Sequence, residues 1–204
     1  MSNFDITGSD PGVKNALGRL QTALTTPNLC EAVCRYFDHH GSFAGLAFDS
    51  LGHNLPSEIT ADDLLAVTLL DVSWTPPAVR AMLEDQAEKF GVLRRIDSRT
   101  TLWAETAGQQ LCAEETMWEE LRALPGVGRT KAGKLLARKR PLLVPIVDDV
   151  IARAVGNSGK TWLTLRHCFD VAIWMLCSRS KAVRTARERS ARGHVPLRTF
   201  RRHT

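Results

Sequence analysis

Leu124-Pro-Gly-Val-Gly-Arg-Thr-Lys-Ala-Gly-Lys-Leu-Leu-Ala-Arg-Lys-Arg140, with Pro145-Ile-Val-Asp-Asp149 close behind, is the stretch that decides the fold. It reads as two helices joined by a tight glycine-rich turn. Trp118 and Leu121 lead into the turn, and Ala132, Leu135 and Leu136 form the apolar side of the helix after it. Glycine lets backbone N–H groups approach a ligand and tolerates positive φ. N–H groups at a helix start attract an anion, because the dipole and the unpaired donors act together. Phosphate is the natural partner of such a turn. The acid that follows is then a candidate for chemistry beside a nucleic-acid backbone.

Working outward, most of the chain has helical periodicity. Thr60-Ala-Asp-Asp63 is a capping-box start, with Asp63 standing in for glutamate, before Leu64, Leu65, Val67, Leu69 and Leu70. Thr75-Pro-Pro77 opens another helix, carrying Val79, Met82, Leu83, Ala87 and Phe90 and ending at Gly91. Val150, Ile151, Ala154 and Val155 start a helix closed by Gly156-Asn157. Trp162, Leu165, Phe169, Ala172, Ile173 and Leu176 recur at steps of three and four, the mark of an amphipathic helix. No stretch has a sustained period of two, so the expected class is all-α. Ala44 to Pro56 and Val92 to Thr101 fit a loop or a short strand.

Charge is unevenly spread. Of 27 basic and 22 acidic residues, Arg122 to Arg140 holds seven basic residues and no acid. From Ser178 onward there are nine basic residues and Glu188 alone. The rest carries 11 basic against 21 acidic residues. A basic stripe on an acidic body points to a polyanion; a solvated helix face with an unstructured tail is the plainer account.

At 204 residues the chain suits one domain or two small lobes. Residues 1–13 read as an unstructured N-terminus without the features of a signal peptide, residues 14–178 as the folded body, and residues 179–204 as a basic C-terminal segment. No apolar run approaches the ~20 residues needed to span a bilayer. Cys30, Cys34, Cys112, Cys168 and Cys177 include no Cys-x-x-Cys pair. Buried reduced thiols in a cytoplasmic protein account for them better than disulfides or zinc.

Leu124-Pro-Gly-Val-Gly-Arg129 resembles the helix-hairpin-helix of the superfamily of base-excision DNA glycosylases that share this hairpin and a following aspartate. Pro145-Ile-Val-Asp148 resembles the segment carrying that aspartate, at similar separation. Asp62 to Leu70 resembles the helix that opens the family's other lobe. The chain also looks like an actinobacterial group of uncharacterised proteins with a Leu-x-Pro-x-x-Asp pattern after the hairpin. The resemblance implies a two-lobed helical fold, with the helix-hairpin-helix over about 117–140. It implies double-stranded DNA across the hairpin, a monomer, and an active site between lobes. Gly126, Val127, Gly128, Arg129, Thr130, Lys131 and Lys134 would contact DNA. It also implies a monovalent cation, sodium or potassium, on the hairpin carbonyls, and no other cofactor. Some members carry a nucleophilic lysine directly after the hairpin arginine. Here that position is Thr130, and Lys131 comes one residue later, rotated by about 100°. Cys168 and Cys177 alone cannot build the iron–sulfur cluster that some members hold.

The implied activity is hydrolysis of an N-glycosidic bond in a damaged or modified base, leaving an abasic site. Repair and defence against phage DNA are both open as roles. Such cleavage passes through an oxocarbenium-like sugar. A carboxylate 4 Å from that cation is worth about 4 kcal/mol at an effective dielectric of 20, or roughly a thousandfold in rate. Asp148 is the choice by motif position and Asp149 the alternative. An aspartate before Val150-Ile151 is also a good helix N-cap, and that role alone would explain it. Ser73, Trp74 and Trp103 are candidates for the base pocket or wedge, since aromatic faces stack on bases. Trp118 and Trp162 lie on apolar helix faces and read as core. His39-His40, Asp38, Asp71 and Asp97 have no supporting motif. The competing reading is a DNA-binding protein that uses the hairpin without catalysis.

Overall fold

The computed structural model describes residues 11–38, 40–85, 89–156 and 161–179. Regular structure among them is helical throughout, so the protein is all-α. In chain order the α-helices are α1 Pro11–Leu24, α2 Leu29–Tyr36, α3 Gly45–Ser50, α4 Ala61–Thr68, α5 Pro76–Arg80, α6 Val92–Arg95, α7 Ala107–Arg122, α8 Arg129–Lys139, α9 Asp149–Val155 and α10 Thr161–Arg179. None of the described helices is long and apolar enough to cross a membrane.

Local chemistry sets the boundaries. Thr60 Oγ1 accepts from the Asp63 amide at 3.3 Å, and Asp63 Oδ2 accepts from the Thr60 amide at 2.9 Å, so α4 begins in a true capping box. Thr75 caps α5 ahead of Pro76 and Pro77. That helix does not run unbroken to Gly91. A π turn at Ala81–Asp85 widens it, and a 3-10 turn follows at Lys89–Gly91. Of residues 76–84, Ala78, Ala81 and Met82 are buried. Gly156, at φ 102°, ends α9. Arg19 of α1 donates to the Arg153 and Ala154 carbonyls at 2.7 and 3.0 Å, a cation placed on the negative end of α9.

Three expectations need correction. Residues 11–13 belong to α1, and Val13 is buried. The two stretches read as loop or strand each hold a short helix, α3 and α6. Both are too short to display a 3.6-residue pattern. Cys30 and Cys34 are exposed rather than buried; Cys168 is buried, and the four described cysteines are free thiols.

Helix α8 is the centre of the larger core. It packs on α4 and α7, and every residue from Ala132 to Arg140 is buried. Around it lie Leu64 and Val67 of α4, Leu111, Met117 and Leu121 of α7, and Leu143 and Val144 of the following segment. A second, smaller cluster joins Val13 and Ala16 of α1, Val155 of α9, and Leu165 and Cys168 of α10. Phe169 packs against both clusters.

Part of the basic stretch expected on the surface is therefore inside: Lys134, Arg138, Lys139 and Arg140 are buried, whereas Arg122 and Arg129 are exposed. Arg138 Nε lies 3.3 Å from Asp63 Oδ1, and its terminal nitrogens donate to the Phe48 and Leu51 carbonyls. Lys139 Nζ donates to Asp63 Oδ2 and the Leu55 carbonyl, both at 2.6 Å, and to Asn54 Oδ1 at 3.0 Å. Arg140 donates to the Pro56 carbonyl at 2.8 Å, to Ile96 at 3.1 Å, and to Leu93. Lys134 Nζ donates to the Leu70 carbonyl at 2.6 Å. Phe48 and Leu51 end α3, Leu93 and Ile96 end α6, and Leu70 lies just past α4. Arg138, Arg140 and Lys134 thus neutralise the carbonyl-rich C-terminal ends of α3, α6 and α4, while Lys139 reaches the loop carbonyl of Leu55. Two buried acids, Asp63 and Glu114, share the remaining charge.

Candidate nucleic-acid interface

The turn between α7 and α8 is built by its glycines. Gly126 sits at φ 79°, and a Cβ there would lie 2.7 Å from the Thr75 side chain. Both the left-handed backbone and the close approach require glycine. Thr75 Oγ1 donates to the Pro125 carbonyl at 3.1 Å and ties the loop before α5 to the turn. The Val127 amide closes the turn onto the Leu124 carbonyl at 3.1 Å, while the Val127 side chain enters the core. Gly128 then starts α8 in extended backbone with no side-chain cap and no acid in the first turn. The first N–H groups of α8 have no intrahelical acceptor and stand beside exposed Gly126, Gly128 and Arg129 and half-buried Thr130.

Not every expected DNA contact shares that surface. Val127 is buried, as is Lys134, whose ammonium is spent on the Leu70 carbonyl. Lys131 is half-buried and folds back, its Nζ donating to the Gly126 carbonyl at 2.8 Å. That ammonium sits against the turn where a monovalent cation was expected. The Leu124, Pro125 and Gly126 carbonyls each accept from a protein donor.

Asp148 is the N-cap of α9. Its Oδ1 accepts from the Val150 and Ile151 amides, both at 3.0 Å. Its Oδ2 meets no donor among the described residues, and the residue is half-buried. Asp149, in the first turn of α9, is exposed. The approach to Asp148 crosses from one core to the other: Ile146 packs on the larger cluster and Val147 on the smaller. The Val147 carbonyl lies 3.6 Å from where a Cβ on Gly133 of α8 would be. The acid therefore stands at the seam between clusters, on a backbone held against the helix that follows the turn.

The pocket candidates divide. Ser73 is exposed, two residues from the Thr75 contact with the turn. Trp74 is half-buried, and its indole N–H donates to the Leu64 carbonyl at 2.9 Å, which fixes the ring as part of the fold. Trp103 is also half-buried against the larger core. Asp38 and Asp97 accept from the His40 and Arg99 amides at 3.1 and 2.9 Å, as loop acids do. Asp71 has left-handed backbone at φ 57°. His39 and the basic segment from residue 180 lie outside the described residues.

A cluster at the end of α7 went unread in the sequence. The Arg122 guanidinium lies over the Trp118 ring, 4.5 Å from its centroid, and that of Arg129 lies 5.8 Å away. Glu119 holds Arg122 Nη1 at 3.1 Å from both carboxylate oxygens. The spacing Trp118, Glu119, Arg122 does carry the signal, since positions three and four apart are neighbours on a helix.

A family model matches residues 29–200, from the start of α2 onward. The chain belongs to DUF6308, a family of unknown function. Helix α1 precedes the matched residues. No curated protein and no solved structure matches the chain.

Proposed function

We propose that the protein is a monofunctional DNA glycosylase, with the α7–α8 turn on duplex DNA and Asp148 as the group that stabilises the sugar cation. One observation carries the reading. Asp148 has one carboxylate oxygen locked by two α9 amides and the other without a donor among the described residues, and the backbone just before it lies against α8, the helix whose uncapped start suits phosphate. A carboxylate fixed in this way is preorganised, so it loses little freedom when the reaction needs it. In the proposed step, the bond between C1′ and the base nitrogen breaks and its electron pair leaves with the base. Asp148 steadies the positive sugar, water adds at C1′, and the proton that water gives up passes to the departing base. With Thr130 after Arg129 and Lys131 turned back onto Gly126, no free amine among the described residues of the first turn of α8 is left to attack the sugar. The base released is either endogenous damage or a phage modification.

Duplexes carrying a panel of modified bases, incubated and then treated with alkali, test this. Breaks at one base at least should appear and slow by about a thousandfold in Asp148→Asn. Asparagine caps a helix as well as aspartate does, so the melting temperature should hold. Alkali-labile sites that persist in Asp148→Asn would remove the acid from the mechanism.

A second reading has its own support, because capping α9 is a sufficient job for Asp148. The protein would then be a DNA-binding module without catalysis. It predicts salt-sensitive binding, no base release from any duplex, and binding by Asp148→Asn equal to or tighter than wild type.

A further inference from the structure

We infer that Arg122, set over the Trp118 ring and paired with Glu119, is a stacking step for an unpaired nucleobase of the bound strand. This rests on the DNA reading and deepens it by naming the form of nucleic acid preferred: a strand with one base out of its stack beside the turn.

Two arginines meet one indole, and they differ in chemistry. Arg129 carries no acid partner among the described residues and stands at the uncapped start of α8, which suits phosphate. Arg122 has Glu119 at its edge, 3.1 Å from Nη1 through both oxygens. The acid cancels much of its charge and repels a phosphate approaching that edge. What remains is a plane. Its inner face lies over Trp118, and its side chain is still 37% exposed. Guanidinium planes and aromatic rings are the surfaces on which unstacked bases settle.

The plane is also rigid. Trp118 Nε1 donates to the Arg129 carbonyl at 3.3 Å, and Trp162 packs edge-on at 6.2 Å between centroids. Arginine has several rotatable bonds whose freedom a docking base would otherwise quench. Here the ring below and the acid beside already restrict it. Trp118 links α7 to Arg129 of α8 and to Trp162 of α10, so the step has a fixed position relative to the turn.

Binding of three duplexes by wild type and Arg122→Lys tests the inference. One duplex is fully paired, one has a single extra nucleotide, and one has that extra nucleotide without its base. Lysine keeps the charge and its pairing with Glu119 but has no plane. Arg122→Lys should bind the base-bearing bulge about tenfold more weakly, near the lower end for stacking one base. It should bind the other two duplexes within about twofold of wild type. An equal loss on all three makes Arg122 an ordinary cationic contact and overturns the inference, as does no loss on any. If wild type binds the paired and bulged duplexes equally, the inference falls and the DNA reading stands. If wild type binds none at low salt, the DNA reading falls and takes the inference with it.

Discussion

At the start of α8, Arg129 is exposed and forms no ion pair among the described residues. At the other end of the same helix, Arg138, Lys139 and Arg140 are buried among carbonyls, Asp63 and Glu114. The residue types match, and the environments could hardly differ more. The first end emerges from a turn whose glycines push the chain into water. The second runs into the middle of the larger core, where the C-terminal ends of α3 and α6 meet the N-terminal end of α4 at Asp63. Successive residues on a helix point about 100° apart, so three cations in a row cannot share one solvent face. A run of positive charge therefore says little about a ligand until the burial of its helix is known.

The sharpest way to break the comparison is at Asp63. It accepts from Thr60, Arg138 and Lys139 at once, and burial already lowers the pKa of the Lys139 ammonium against the pull of that acid. Asp63→Ala leaves two buried cations without their counter-charge and removes a cap. A loss of about 3–5 kcal/mol in urea unfolding is expected, the range for breaking a buried pair from one side. Arg129→Ala should cost under about 0.5 kcal/mol in the same assay. Similar costs for the two would mean that the ends of α8 are not distinct.

Glu114 gives a pH test of the buried end. Burial raises its carboxyl from 4.5 to about 7, and Arg140 pulls it only part of the way back. The reason lies in the geometry: Arg140 Nε is 3.4 Å away, yet neither Glu114 oxygen accepts a hydrogen bond from a described residue. Asp97 also faces Arg140 electrostatically and competes for its charge. An acid raised on folding favours the folded state below its unfolded pKa. That advantage fades as pH rises through the folded value. Stability should therefore fall from pH 5 to pH 8, by at most about 3 kcal/mol for the full shift. Glu114→Gln should flatten the fall, gaining over wild type at pH 8 and little at pH 5. A wild-type urea midpoint that rises between those pH values would show that Arg140 holds Glu114 ionised throughout.

Much of the local fold was legible. Thr60-Ala-Asp-Asp63, Thr75-Pro-Pro77 and Gly156 mark real helix ends, because capping chemistry acts over a few residues and is written in those residues. The turn from Leu124 to Gly128 was legible for the same reason. Tertiary burial was not. Lys134 resembles a phosphate contact in sequence, and only the neighbouring Leu70 carbonyl makes it an internal cap. Asp63 was readable as a capping residue, whereas its pairing with cations some 75 positions later was not. The seam position of Asp148 likewise depends on two separate apolar clusters that a single sequence does not resolve.

The smallest expected effect is also the one that separates the two ends by function rather than stability. If duplex DNA lies on the turn, each cation neutralising a phosphate adds about one to the slope of log affinity against log salt. Arg129→Ala should lower that slope by about one and weaken binding similarly for every sequence. Lys134→Met keeps the length of the side chain inside the core and should leave the slope unchanged, since its ammonium reaches Leu70 and not solvent. A titration series from low to moderate salt measures both variants. A slope lost in Lys134→Met and kept in Arg129→Ala would reverse the assignment: the buried lysine would have to swing out to DNA, and the exposed arginine would be only a cover for Trp118.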